Sequence, residues 1–259
     1  MPSPTSCNLE PHGHFVQFYK ADEPLLNRNV GCFLWDGLLR GDALLVIATP
    51  ERRESLVGHL SRLGADVAAI RGRSQIALLD AHEMLDRFMR NGQPDWTLFQ
   101  AALSQAFRSI RSRADDGGIC AYGEMVGVLW QAGAYDAAVL LEGFWNRMLH
   151  GRGITLFCGY PIDVFASEFQ AEKLEAIRCA HTHLISAGAD DKLHTAVHQA
   201  LDDVLGPEAE NIRLQMTADQ PALDAAQPNG ETSILWLWQN LPHAAEGILA
   251  SAREHYNAA

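Results

Sequence analysis

The sequence predicts an α/β fold in which a mostly parallel sheet lies between two layers of helices, followed by a mainly helical C-terminal appendage. Continuous apolar runs of strand length recur along the chain, as they do in parallel sheets covered on both faces. Between these runs lie segments whose apolar residues recur at helical spacing. Strands that alternate with helices in this way build three-layer parallel sheets.

The first elements alternate between strand and helix. Residues 15–19 read as a short strand. Apolar residues at helical spacing then predict a helix from Pro24 to Gly41, because proline suits a first helical turn and glycine a helix end. The run "ALLVIAT", residues 43–49, predicts a buried strand. Residues 51–63 place their leucines and valine on one face of a second helix.

The middle of the chain offers two candidates for the next strand, "DVAAI" at 66–70 and "IALLD" at 76–80. Apolar residues within 84–88 predict a helix after it. The segment "NGQP", residues 91–94, breaks the chain, because glycine and proline are the strongest interruptions of regular structure. Residues 95–113 predict a longer helix.

The remaining elements of the sheet follow the same alternation. "ICAYGE", residues 119–124, predicts a strand, residues 135–149 a helix, and "ITLFCGYP", residues 154–161, a further buried strand that proline ends. The pattern weakens beyond this point. Residues 189–259 form an extension that is predicted to be mainly helical and whose role the sequence does not indicate.

Composition limits the classes of function. Net charge is −12, from 20 basic and 32 acidic residues, which argues against binding to nucleic acid or to an anionic membrane surface. No apolar run approaches about 18 residues, so no transmembrane helix is expected. The five cysteines form no CxxC pair, which favours reduced thiols in a cytoplasmic protein. Residues 1–11 are polar and predict a flexible leader, and residues 12–188 predict the α/β domain.

The turn after "ALLVIAT" has the position of a phosphate loop, between a buried strand and a helix. A working loop needs glycines to cradle the phosphates and a lysine for their charge. Here both are missing, Pro50 removes a backbone donor, and Glu51 repels an anion. Arg52, Arg53 and Ser55 remain as phosphate contacts without the backbone cradle, so tight ATP binding is not expected.

Two glutamates are candidate functional groups. Glu124 follows a predicted strand, at the edge where open α/β sheets bind ligands. It is interpreted as a base, a ligand contact or a partner for an arginine, or else as a carboxylate that caps a loop. Glu142 lies between apolar neighbours on the predicted helix. It is either buried and paired, with Asn146 or Arg147 as partner, or on the polar side of the helix.

Histidines recur at close spacing, but the sequence predicts no metal site. None is accompanied by a carboxylate in a recognised arrangement such as HExxH. The chain also has no G-x-S-x-G elbow and no dinucleotide fingerprint, so a serine hydrolase or a Rossmann dehydrogenase has no local support. The closely spaced histidines are His12 with His14, His181 with His183, and His194 with His198.

Three stretches resemble, in order and spacing, the MEDS family, a sensory domain named from methanogens, methylotrophs and the dichloromethane-responsive regulator. The resemblance covers roughly residues 12–185. They are "HFVQFYKADEPLLNRNVGCFLWDGLLRGDALLVIATPERRESLVGHL", "GICAYGEMVGVLWQAGAYDAAVLLEGFWNRML" and "GITLFCGYP".

The resemblance implies a fold related to the RecA-like and clock-protein ATPases, with a degenerate phosphate loop. It also implies a role in sensing small organic ligands, commonly ahead of a histidine kinase, an anti-sigma-type module or a DNA-binding domain. The extension at 189–259 shows no kinase motif and no basic helix-turn-helix, which departs from that plan. The family motif falls on His14, Phe18, Tyr19, Gly123, Glu124, Met125, Glu142, Cys158 and Tyr160.

The leading hypothesis is therefore a non-catalytic cytoplasmic sensory protein. Its ligand pocket is expected at the carboxyl edge of the sheet, and its output is expected through a protein partner such as a kinase or a transcriptional regulator, with self-association as a further route. No cofactor is predicted. The alternatives are a residual nucleotide-binding ATPase in which Glu124 polarises water, and an oligomeric scaffold without a pocket. The residues expected to bind the ligand are His14, Tyr19, Thr49, Arg52, Arg53, Ser55, Glu124 and Tyr160.

Overall fold

The computed structural model of the chain describes residues 13–19, 24–110, 117–150, 153–162, 171–185, 192–218 and 230–258. The chain divides into two compact units. The first comprises Met1–Pro161 with Ile177–Ile185, and the second comprises Ile162–Ala176 with Ser186–Ala259. The predicted leader and the predicted last turn of the helix at 95–113 fall, wholly or partly, outside the described residues.

Six parallel strands form the sheet of the first unit, in the spatial order β3-β2-β6-β7-β1-β8. Parallel pairing is present at every step of this order. A separate antiparallel hairpin pairs β4 with β5. The strands are β1 (His14–Phe18), β2 (Ala43–Ala48), β3 (Ile76–Asp80), β4 (Met89–Arg90), β5 (Gln93–Pro94), β6 (Ile119–Gly123), β7 (Ile154–Tyr160) and β8 (His183–Leu184).

Helices cover both faces of this sheet, which confirms the predicted three-layer α/β fold. On one face, α1 and α2 share a hydrophobic core with alternate residues of β2 and β6. On the other face, α4, α5, α6 and α7 pack against one another. The helices of the first unit are α1 (Pro24–Arg40), α2 (Pro50–Leu63), α3 (Val67–Gly72), α4 (Ala81–Phe88), α5 (Trp96–Arg108), α6 (Met125–Gln131) and α7 (Tyr135–Leu149), and the next helix along the chain, α8 (Ala171–Ala180), is divided between the two units.

The order in which successive strands are added to the sheet reverses between β2 and β6, and the site lies at this point. From β2 the chain moves outward to β3, whereas from β6 it moves in the opposite direction to β7. The helix that follows β2 lies on one face, and the helix that follows β6 packs with α7 on the other. Two neighbouring strand ends whose helices diverge leave a crevice at the carboxyl edge of the sheet, where open α/β sheets bind ligands.

Local sequence explains where several elements end. Gly64 adopts a left-handed conformation, with φ of 106°, and its N–H bonds the last turn of α2. Asn91 and Gly92 both have positive φ, which suits the turn of the β4–β5 hairpin. The segment "NGQP" is thus part of a hairpin rather than a plain break. Of the two candidates for the strand after α2, residues 76–80 form β3, and residues 66–70 instead begin α3.

The second unit is built from helices that share their own hydrophobic core. Its longest helices, α9 and α12, pack against each other. No helix in the described ranges is both long and apolar enough to span a membrane. The helices of this extension are α9 (Lys192–Leu205), α10 (Ala209–Ala218), α11 (Gly230–Asn240) and α12 (Pro242–Ala258).

Candidate functional site

Glu124 organises the crevice between β2 and β6. It is the residue after β6, and its side chain is almost completely buried. One carboxylate oxygen accepts hydrogen bonds from the backbone N–H of Thr49, at 2.8 Å, and from its hydroxyl, at 3.0 Å. The other oxygen accepts a bond from Nε of Arg52 at 3.1 Å. Glu124 therefore joins the end of β6 to the end of β2 and the first turn of α2.

Arg52 is held from three sides. Its Nη1 donates to the side-chain oxygen of Asn27 on α1, at 2.7 Å, while its Nε donates to Glu124. Its guanidinium also lies over the ring of Tyr19, 5.0 Å from the centroid, in a cation–π contact. Because each partner comes from a different element, the position of Arg52 depends on α1, on the end of β1 and on the end of β6.

Arg53, the next residue, points to a different partner. Its Nη2 donates to the carboxylate of Asp80 at 2.8 Å. Asp80 is the last residue of β3 and also caps α4, where it accepts bonds from the backbone N–H groups of His82 and Glu83. The two arginines in the first turn of α2 are thus both ion-paired, one on each side of β2.

The start of α2 lacks the usual side-chain cap. Thr49 precedes Pro50 at the position where a hydroxyl normally accepts a bond from the helix, but its side chain makes no such bond. Instead the hydroxyl donates to Glu124. Proline suits the first helical position, because its missing N–H is not needed there. Thr49 therefore ties the helix to β6 instead of capping it.

These groups line a cleft with a volume of about 340 Å³. Five of the residues predicted to bind a ligand lie around it: Tyr19, Thr49, Arg52, Ser55 and Glu124. Three further residues that were not predicted to bind the ligand complete the lining: Asn27, Glu51 and Gln131. Burial, together with the charge of Glu124, raises the pKa of Tyr19 to about 12, so its hydroxyl remains protonated.

His14, Arg53 and Tyr160 are not among the residues that line the cleft. His14 and Tyr160 instead meet Glu142 in a fully buried polar cluster on the face of the sheet covered by α7. The Tyr160 hydroxyl donates to Glu142 at 2.6 Å, and the thiol of Cys158 lies 3.8 Å from the same carboxylate. Glu142 is completely buried and paired, as one of the two alternatives expected, but its partners are Tyr160, Cys158 and two histidines rather than Asn146 or Arg147.

His181 joins this cluster from the segment between α8 and β8. Its Nε2 lies 3.4 Å from Glu142, and its ring centroid lies 3.9 Å from that of His14, with the two rings tilted by 40°. Burial lowers the pKa of His181, which favours the neutral imidazole. The sequence showed His181 only as one of several closely spaced histidines. Nothing in its spacing connected it with residues 14, 142 and 158.

The other residues of the family motif have structural positions. Phe18 packs edge-on against the ring of Tyr160, and Met125 is buried at the start of α6. Gly123 leaves ordinary space for a side chain, whereas Gly127 on α6 does not. A Cβ at Gly127 would lie 2.6 Å from a backbone carbonyl oxygen of β7. Sequence reasoning missed this glycine, since α6 itself was not predicted.

Fold and site together define an α/β protein with a polar, ligand-sized cleft at the point where the strand order of its parallel sheet reverses. The model of the MEDS family, described as the MEthanogen/methylotroph, DcmR Sensory domain, matches residues 13–182, and the chain therefore belongs to this family. The resemblance of the three sequence blocks is thus confirmed. Comparison with curated proteins and with solved structures gave no match. Membership of a sensory family supports a sensory or regulatory role.

Proposed function

We propose that this chain is a cytoplasmic sensory protein that binds a small polar organic molecule in the cleft beside Glu124 and signals through a protein partner. The cleft is the observation that carries this proposal. Its volume of about 340 Å³ is at the lower end of the range of ligand pockets. It also lies where parallel α/β sheets hold their ligands. A scaffold without a pocket would not need this opening.

The lining indicates the chemistry of the ligand. Thr49 and Ser55 offer hydroxyls, Arg52 a cation, and Glu51 and Glu124 carboxylates. Such a set fits a molecule that carries hydrogen-bonding groups of both kinds better than a hydrocarbon, because the residues that line the cleft are mainly polar or charged. The ring of Tyr19 supplies an aromatic face beside the cation.

The same groups argue against a nucleoside triphosphate. A polyphosphate needs uncompensated positive charge, but Arg52 and Arg53 are paired with Glu124 and Asp80. The carboxylates of Glu51 and Glu124 also line the cleft and would repel phosphate oxygens. Nucleotide binding is therefore not expected, and the experiment must distinguish it from the binding of a small organic molecule.

Glu124 gives ligand binding a route to a conformational change. Its bonds to Thr49 and Arg52 fix the beginning of α2 relative to β6. A ligand that takes over a bond of Arg52 or of Glu124 favours an arrangement in which this connection is looser. A switch requires such a difference in affinity between two states. We expect the partner to recognise the surface that α2 presents.

A thermal-shift screen tests the proposal. The full chain is incubated with MgATP, MgADP and MgGTP beside a panel of small organic acids, amines, amino acids, alcohols and halogenated methanes. Saturable stabilisation by a polar organic compound, with none by nucleotides, is the expected result. Stabilisation by Mg-nucleotides alone would support the residual ATPase instead. A flat response to the whole panel would remove the support for a ligand cleft.

A further inference from the structure

The buried cluster on the α7 face of the sheet has the composition of a metal site. Two imidazoles, one carboxylate and one thiol converge there, and their ligand atoms all lie within 4.8 Å of one another. His14 comes from β1, Glu142 from α7, Cys158 from β7 and His181 from the segment before β8. All four belong to the first unit of the chain.

The hydrogen bonds of the two histidines determine which ring nitrogen points into the cluster. Nδ1 of His14 lies 3.1 Å from the carbonyl oxygen of Ala180, and Nδ1 of His181 lies 2.6 Å from that of Ile177. A carbonyl oxygen only accepts hydrogen bonds, so both Nδ1 atoms carry the proton. Both Nε2 atoms therefore point toward Glu142. Metal-bound histidines are held in this way by an outer hydrogen bond.

Two donors serve the cluster, the hydroxyl of Tyr160 to Glu142 and the thiol of Cys158, which lies 3.4 Å from Nε2 of His14. Nε2 of His14 lies 3.3 Å from one oxygen of Glu142, and Nε2 of His181 lies 3.4 Å from the other. Nε2 of His181 is buried and forms no hydrogen bond with any residue that the structure describes. A buried ring nitrogen and a carboxylate oxygen at this distance need a proton or a metal cation between them. A proton on either ring would give a charge-assisted bond, which is shorter, at about 2.7–2.9 Å.

The observed distances fit a tetrahedral ion instead. Metal–ligand bonds of about 2.0–2.3 Å in tetrahedral geometry separate neighbouring ligand atoms by roughly 3.3–3.8 Å. Nε2 of His14 lies 3.4 Å from the sulfur of Cys158, and that sulfur lies 3.8 Å from Glu142. With Nε2 of His14 at 3.3 Å from the same carboxylate oxygen, three separations among one set of ligand atoms agree with this range, and Nε2 of His181 lies 3.4 Å from the other oxygen of Glu142.

We propose that His14, Glu142, Cys158 and His181 bind one divalent transition-metal ion, with Zn²⁺ as the best fit. A set of two imidazoles, a carboxylate and a thiolate suits zinc, because thiolate and imidazole select it over magnesium and calcium. On binding, the sulfur–hydrogen bond of Cys158 is replaced by a sulfur–metal bond, and the proton passes to solvent. Four protein ligands close the site, as in structural zinc centres.

The ion would link the segment that carries His181 to strands β1 and β7 of the sheet. Asn146 on α7 supports the site from outside. Its side-chain oxygen accepts from Nδ1 of His14 at 2.9 Å, and its Nδ2 donates to the carbonyl of Ala180 at 2.8 Å. Asn146 is therefore a positioning residue, which orients the ring of His14 and the backbone beside His181. This site is distinct from the Glu124 cleft and does not depend on the function proposed for that cleft.

Cobalt titration of the full chain, stripped with a chelator under reducing conditions, tests the proposal. Co²⁺ bound to a thiolate in a tetrahedral site produces a sulfur-to-cobalt charge-transfer absorption and intense visible bands. We expect both to saturate at one equivalent, and one equivalent of Zn²⁺ to displace the cobalt. An absent charge-transfer band at saturating Co²⁺ in the wild-type chain would overturn the proposal without the need for any variant.

Matched variants locate the site. Cys158→Ala is expected to abolish the charge-transfer band, whereas Cys120→Ala, which removes an equally buried thiol from the other face of the sheet, is expected to keep it. Asn146→Ala should weaken Zn²⁺ binding about 10- to 100-fold, because it removes an outer partner of a ligand. Circular dichroism confirms folding of each variant. A band that persists in Cys158→Ala would overturn the assignment.

Two further variants test whether the loss of Zn²⁺ binding is specific to the proposed ligands or follows the removal of any histidine. His181→Gln removes one of the four proposed ligand atoms and should weaken Zn²⁺ binding at least about tenfold. His198→Gln removes a histidine of the second unit and should leave Zn²⁺ binding unchanged. Equal affinity of His181→Gln and wild type would contradict the proposed ligand set. Arg52→Gln, in the cleft, should bind Zn²⁺ as the wild type does, so failure of one proposal does not imply failure of the other.

Discussion

Replacing Glu124 by glutamine removes one negative charge from the cleft while nearly keeping the shape of the side chain. The guanidinium of Arg52 then faces a neutral amide, with only 10% of its side chain exposed. Leaving one partner of a buried ion pair uncompensated costs about 3–5 kcal/mol. We expect a loss near the lower limit, about 3 kcal/mol, because Arg52 keeps its bond to Asn27 and borders an open cleft.

The Arg53–Asp80 pair provides a matched control. Its side chains are 25% and 14% exposed, compared with 10% and 6% for Arg52 and Glu124. Asp80→Asn retains the ability to cap α4, because asparagine caps helices about as well as aspartate. Its loss of stability should be about 1 kcal/mol, as for a more exposed pair.

Hydrogen exchange at increasing urea concentrations, read by mass spectrometry on peptides from β2, α2 and β6, measures both variants within the first unit. The free energy of opening should fall by clearly more in Glu124→Gln than in Asp80→Asn. Equal losses would refute the view that Glu124 holds these elements together.

Three further predictions concern the packing and charge of the first unit. Gly127→Ala should lower the free energy of unfolding by about 1–3 kcal/mol in a urea titration, because its Cβ would meet a backbone carbonyl. Gly143→Ala, in open space on α7, should raise that free energy by about 0.5–1 kcal/mol. Stabilisation of both variants would refute this reasoning. Tyr160→Phe removes the donor at 2.6 Å from the buried carboxylate and should cost about 1–3 kcal/mol in the same titration. Tyr122→Phe should be nearly neutral, since that hydroxyl bonds no residue in the described ranges, and equal losses would count against the account. Partial burial and two nearby arginines lower the pKa of His59, so the unfolded chain takes up the proton at higher pH than the folded chain. The free energy of unfolding should therefore fall as the pH drops through about 6.5. His59→Gln should reduce this fall, and a pH profile of stability like that of the wild type would contradict the prediction.

Much of the sheet was predictable because its strands are continuous apolar runs. β2, β6 and β7 occur where these runs lie, and α1, α2 and α7 where the apolar residues have helical spacing. The short elements were not predictable. α6 has seven residues, too few to establish a period, and β8 has two, which pair with β1 only after the chain returns to the sheet.

The candidate sites were likewise only partly predictable from the sequence. The position of Glu124 at a strand end indicated the crevice, because parallel strands bring their carboxyl ends to one edge. Its bond to Arg52 joins residues that are 72 positions apart, and no local pattern shows such a pair. His181 meets Glu142 only because β8 and β1 are neighbours in the sheet. A side-chain cluster of this kind depends on strand order, which periodicity does not reveal.

The central claim is that the cleft beside Glu124 is the ligand site. Calorimetric titration of a compound that stabilises the chain, against wild type, Arg52→Gln and Arg53→Gln, tests it most directly. Arg52 lines the cleft, whereas Arg53 pairs with Asp80 and is not among the lining residues. We predict that Arg52→Gln weakens binding at least about tenfold, the equivalent of about 1.4 kcal/mol, while Arg53→Gln binds like the wild type. Equal affinity for all three chains would contradict the claim.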